Sequence, residues 1–149
     1  MKHIITTYRL DFKLLKNGAM LTCLEFLNLG RNNDIYTGVD LFIDTGASST
    51  IMSRTTLLNL GYQRIKPKSW QMVEMIDGYL KCYSFKIPSF CITGSLVVKE
   101  PIIWVPDNSD CVDNVLGQDV LREYNYYVDN VDNCIYFEPK YVNNLRPKG

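Results

Sequence analysis

Histidine is nearly missing from this 149-residue chain, and the only one, His3, stands in a loose N-terminal stretch. A Ser-His-Asp triad, a Cys-His pair and a His-ligated zinc site all need an imidazole held in a packed site, so these chemistries are excluded. Paired cysteines are missing too. Cys23, Cys82, Cys91, Cys111 and Cys134 are odd in number and contain no C-x-x-C spacing, which argues against a disulfide framework or a cysteine-rich metal site and leaves them as buried free thiols. No metal or organic cofactor is expected. Long hydrophobic runs are absent: the start, MKHIITTYRLDFKLL, is broken by polar residues, and PIIWVP from Pro101 to Pro106 is far too short to span a bilayer. No membrane association is expected, and a reducing cytoplasm is the expected location. An excess of one charge is absent as well, with 16 Lys and Arg against 16 Asp and Glu, so nothing electrostatic calls for a nucleic acid or an anionic membrane as partner. Any catalysis falls to carboxylates and backbone groups.

What is present is a packed composition, 46% hydrophobic and 21% charged, in a chain without repeat, linker or low-complexity run. Residues 1–149 read as a single domain, with its core over about 20–137 and a loose tail at 138–149. Alternating or β-branched segments predict strands at Met20 to Leu27 and Ile35 to Asp44, joined by a polar GRNND loop. Ser53 as N-cap, Leu57, Leu58 and Leu60 as apolar face and Gly61 as C′ residue predict one short helix. Trp70 to Ile76 and Tyr79 to Ile87 flank Asp77-Gly78, the dipeptide that favours a two-residue hairpin turn. Strands are also predicted at Ser89 to Val98 and Glu100 to Val105. A short helix opens near Gly117, with Leu121 and Tyr124 facing inward, and a closing hairpin turns over Val131 to Asn133. The fold class is all-β with one or two short helices.

The chemistry concentrates in Leu41-Phe42-Ile43-Asp44-Thr45-Gly46-Ala47-Ser48, an apolar strand running into an acidic turn, and in Val115-Leu116-Gly117-Gln118-Asp119-Val120-Leu121, two hydrophobics and a glycine entering a helix. Together, and in this order around the predicted hairpin, they resemble the two signatures of retropepsin-like aspartic proteases, in the Asp-Thr-Gly-Ala form of retroviral-type enzymes. The resemblance implies a half-barrel with a flap hairpin. It assigns Asp44 the catalytic carboxylate, Thr45 a bond that braces the loops across subunits, and Gly46 the close approach of substrate and carboxylate. Ala47 and Ser48, with Ile76, Asp77 and Gly78 at the flap tip, become substrate-binding positions. One Asp-Thr-Gly per chain makes half a site, so a symmetric homodimer is implied, with a polypeptide as substrate. By the same resemblance the chain ends, Ile4 to Phe12 and Cys134 to Phe137, would pair into an interface sheet.

Two carboxylates about 3 Å apart cannot both hold a charge, so one proton is shared and one group serves as base while the other serves as acid; the aspartic-protease pair is itself the reference case for this behaviour. Two positions depart from the retroviral pattern. Ser48 stands where those enzymes usually carry Asp, and Gln118 where they often carry Arg, so both partners of a family ion pair are replaced together. Taken singly, Asp44 is an ordinary turn aspartate, Asp77-Gly78 an ordinary hairpin turn, and Asp119 a carboxylate favoured at a helix start. The joint pattern favours an aspartic endopeptidase; the alternative is a non-catalytic peptide-binding or assembly module of the same fold.

Overall fold

A computed structural model of the protein describes residues 6–30, 35–75, 78–107 and 112–140. His3, Cys111, Ile76 and Asp77, the loop at 31–34 and the tail at 141–149 lie outside the described residues. The chain forms β1 (Tyr8–Asp11), β2 (Lys13–Leu14), β3 (Met20–Asn28), β4 (Ile35–Ile43), α1 (Arg54–Asn59), β5 (Trp70–Met75), β6 (Gly78–Lys86), β7 (Ser89–Thr93) and β8 (Leu96–Lys99). It continues through β9 (Ile102–Pro106), β10 (Val115–Leu116), α2 (Gln118–Leu121), β11 (Tyr124–Asp129) and β12 (Cys134–Pro139). The all-β expectation holds.

Three sheets form among the described residues. The central one runs β10-β4-β3-β7-β8, with β2 paired to β3; the hairpin sheet runs β5-β6-β9; the terminal sheet runs β1-β12-β11. In β3 the alternation puts Thr22, Leu24, Phe26 and Asn28 inside, while Cys23 and Glu25 face out. Cys23 is therefore exposed, against the expectation of buried thiols, which Cys82, Cys91 and Cys134 meet. Burial pushes the Cys82 thiol up to about 11. The core joins Leu24, Phe26, Leu41, Phe90, Ile103 and Leu116 with Ile135 and Phe137 of the terminal sheet. Among the described residues no helix is long and apolar enough to cross a membrane.

Helix α1 forms where local signals placed it. The Ser53 side chain accepts from the Thr56 amide, and Gly61 follows with φ +75°, a left-handed conformation that glycine adopts without strain. Leu57 and Leu60 are buried, but Leu58 is 49% exposed. Residues three apart share a helix face and adjacent ones do not, so Leu58 falls outside the apolar stripe. Just past the helix, Tyr62 is fully buried and its hydroxyl donates to the Leu27 carbonyl at 2.6 Å, clasping the helix to β3. Burial pushes this phenol up, and it stays a neutral donor. Tyr62→Phe is expected to cost about 1–3 kcal/mol, the penalty of a buried carbonyl left unpaired, read from the midpoint of urea unfolding.

Three other boundaries differ from expectation. The predicted strand at Ser89 to Val98 is a hairpin, β7 and β8, turning at Gly94 and Ser95. The next strand begins at Ile102 because Glu100 takes φ +50° and Pro101 has no N–H to give a ladder. Tyr124 belongs to β11 and meets Phe137 edge-on at 5.7 Å instead of extending α2. The chain-end strands do pair, Tyr8 opposite Phe137 and Asp11 opposite Cys134, and they do so within one chain.

Candidate active site

Strand β4 delivers Asp44 to the turn, and the Asp44 amide extends the ladder by donating to the Leu116 carbonyl of β10 at 3.0 Å. The turn then closes on itself. Ala47 N–H donates to the Asp44 carbonyl at 3.2 Å, and Gly46 N–H donates to Asp44 Oδ1 at 2.9 Å. A Cβ on Gly46 would sit 3.3 Å from that same oxygen, so glycine relieves a crowded contact at the acid itself.

The second signature holds this turn from beneath. Gln118 N–H donates to the Ala47 carbonyl at 2.7 Å and Asp119 N–H to the Ser48 carbonyl at 3.2 Å, so carbonyls of the first loop satisfy the opening amides of α2. Asp119 does more than complement a helix start. Its carboxylate accepts from the Thr50 amide at 2.9 Å and from Thr50 Oγ1 at 2.6 Å, while Thr50 Oγ1 accepts from Gly117 N–H at 3.1 Å. Gly117 approaches so closely that a Cβ there would stand 2.5 Å from the Ser49 carbonyl oxygen. The Gln118 side chain adds two bonds, Nε2 donating to the Thr45 carbonyl at 2.9 Å and to the Tyr126 hydroxyl at 3.0 Å. Farther out, Asn114 Oδ1 accepts from Ser53 N–H, and its Nδ2 donates to the Asp40 carbonyl.

Above the turn lies a groove of about 620 Å³, floored by Asp44, Gly46, Ala47 and Ser48 and roofed by Val73, Met75, Gly78 and Leu80 of the hairpin. Gly78 takes φ +124°, which only glycine adopts freely, and it stands opposite Met75 as the first residue of β6, so it belongs to the strand and not to the turn expected at Asp77-Gly78. Ile51 and Val115 form an apolar back wall with Val73, continuous with a small buried cluster that includes Cys82. Glu74 and Asp113 add carboxylates to the lining. The structure thus brings Asp44, Gly46, Ala47, Ser48 and Gly78 to one groove. Thr45 is exposed and does not line it, and Ile76 and Asp77 lie outside the described residues. Asp44 is itself exposed in the single chain. Among the described residues, no group of three or more His, Cys, Asp or Glu side chains is placed to hold a metal ion.

Sequence reasoning missed Thr50, Asn114 and Tyr126, and it read Gln118 only as a departure. Thr50 is a buried polar residue whose partner is 69 positions away, and no local pattern announces such a pairing.

Comparison with known proteins adds two similarities. Residues 33–123 match the family described as "gag-polyprotein putative aspartyl protease". The fold superposes on a retropepsin-like aspartic protease from Rickettsia conorii with a TM-score of 0.62 at 15% identity, covering 93% of this chain and 97% of that one. No curated protein sequence matches with significance.

Proposed function

Because the chain belongs to the gag-polyprotein aspartyl protease family, we propose that it is a homodimeric aspartic endopeptidase whose catalytic pair is Asp44 and Asp44 of the partner subunit. The observation that carries this reading is the position of Asp44. It stands on the floor of an apolar-walled groove beneath a hairpin, in a turn held from below by α2. Each chain holds one Asp-Thr-Gly, and Asp44, Thr45 and Gly46 are exposed in the single chain, free to meet the same turn of a second copy across a two-fold axis. The terminal sheet β1-β12-β11 is where we place part of that contact.

In this site the ionised Asp44 takes a proton from water as the oxygen attacks the peptide carbonyl carbon. The protonated Asp44 of the partner subunit gives its proton to the carbonyl oxygen. The tetrahedral diol then collapses: one hydroxyl returns its proton to the carboxylate of the partner subunit's Asp44 as C=O re-forms, the C–N bond breaks, and the departing nitrogen receives the proton held by the first carboxylate. An extended peptide adds its backbone to the hairpin edge, and apolar side chains beside the cleaved bond fit Ile51, Val73, Met75 and Val115. No metal or organic cofactor enters. The buried free thiols of Cys82, Cys91 and Cys134 support a reducing, cytoplasmic setting.

One observation favours a second reading, a peptide-binding or assembly module of the same fold. Exposed Asp44 costs the single chain little desolvation, so a retired site could keep it. Digestion of a diverse peptide mixture by concentrated protein across about pH 4 to 7, read by mass spectrometry, separates the two. Cuts at apolar junctions that vanish in Asp44→Asn are the expected result. Protein shown to be dimeric that makes no Asp44-dependent cut would establish the module instead.

A further inference from the structure

We infer that Gln118 is a positioning residue that aims the Gly46 N–H at the Asp44 carboxylate, and that Tyr126 holds Gln118 in place to do so. The inference rests on the catalytic reading of Asp44 for its kinetic consequence, and on geometry alone for its structural one. The carbonyl of Thr45 and the N–H of Gly46 belong to one planar peptide unit. The described backbone contains no cis peptide bond, so these two groups point to opposite sides of that unit. On one side Gln118 Nε2 donates to the Thr45 oxygen at 2.9 Å; on the other the Gly46 N–H donates to Asp44 Oδ1 at 2.9 Å. A rotation of the unit that broke one bond would break the other.

The Gln118 amide has no freedom to turn around. The Thr45 carbonyl only accepts, so the group facing it is the amide nitrogen, and the second hydrogen of that nitrogen goes to the Tyr126 hydroxyl at 3.0 Å. Tyr126 is anchored in turn. It lies on β11, opposite Phe137 of β12, with the two rings 6.3 Å apart. A continuous line of contacts therefore runs from the terminal sheet through Tyr126 and Gln118 to the acid. Where a charged pair stood in the pattern this sequence resembles, a neutral amide here works on the peptide next to the carboxylate.

Loss of the Gly46 donor leaves the Asp44 carboxylate without the bond that fixes its orientation toward the attacking water, so kcat should fall while KM holds.

The test uses the full chain labelled with nitrogen-15. In Gln118→Met, which keeps the length and loses the donor, the Gly46 amide should exchange with solvent roughly three- to tenfold faster, the worth of one neutral hydrogen bond. The amides of Leu41 and Ile43 in β4 should keep their rates, and kcat should fall roughly three- to tenfold with KM unchanged. Tyr126→Phe removes a single hydroxyl and should move both readouts in the same direction by less. It carries the test if Gln118→Met does not fold. Unchanged Gly46 exchange in a folded variant would overturn the inference, as would a raised KM with kcat unchanged. If the wild type cleaves nothing, the catalytic reading fails while the exchange rates still decide what Gln118 does.

Discussion

Asp44→Asn should lower kcat/KM for peptide cleavage by at least about 10⁴-fold, because an amide can neither take the proton from water nor return one to the leaving nitrogen. The substitution is mild for the fold. Asn keeps an oxygen where Asp44 Oδ1 accepts from Gly46 N–H at 2.9 Å, and the side chain is exposed in the single chain. Unfolding free energy should therefore stay within about 0.5 kcal/mol of the wild type. The same variant tests whether the site is shared. Equal amounts of wild type and Asp44→Asn, allowed to exchange subunits, leave about a quarter of the dimers with both carboxylates, so specific activity should fall to about a quarter of an all-wild-type sample. A fall only to half would show that each chain acts alone, and the two-chain site would be wrong.

The second large effect is expected at Gly117. A Cβ there meets the Ser49 carbonyl oxygen at 2.5 Å, the Ser49 carbonyl carbon at 2.7 Å and the Ala47 carbonyl oxygen at 3.0 Å. These are backbone atoms with no rotamer to yield. Relief requires parting α2 from the Asp44 turn, and that stretches the bond from Gln118 N–H to Ala47 and the bond from Gly117 N–H to Thr50 Oγ1. Overpacking together with two weakened hydrogen bonds puts the cost of Gly117→Ala at about 3–5 kcal/mol in urea unfolding. Peptide cleavage should be lost even where the fold survives, since the displaced loop carries Asp44. Gly94→Ala is the control: nothing lies within 4 Å of its Cβ position, and it should change stability by less than about 0.5 kcal/mol. A similar small effect at Gly117 would show that the loop and α2 are not locked together.

Features governed by neighbours along the chain are legible in the sequence. The Ser53 cap, the Gly61 terminus and the strand running into Asp44 each follow from a few adjacent residues, because capping, positive φ and strand alternation are local physics. The errors also have local causes. The helical repeat denies Leu58 the apolar face expected of it, and the alternation that buries Thr22 and Leu24 already turns Cys23 outward. The break at Gly94 and Ser95 was hidden because Ser89 to Val98 is apolar on both sides of it. What local reading does not reach is the polar bracing of the turn. Thr50 with Asp119, Gln118 with Thr45, and Asn114 with Ser53 join residues that only the finished topology brings together. Composition narrows such pairings, but register decides them.

The pairing of β1 with β12 has a kinetic consequence. Tyr8 finds Phe137 and Asp11 finds Cys134 across nearly the whole chain, and β4 must wait for β10 before the turn after it is supported. Contacts this distant in sequence demand loop closure before they return any stabilisation, which slows folding and makes it cooperative. A chain emerging from the ribosome carries its acidic turn early but cannot brace it until the last strands arrive. The braced geometry that the proposed chemistry needs is thereby withheld from incomplete chains by topology alone.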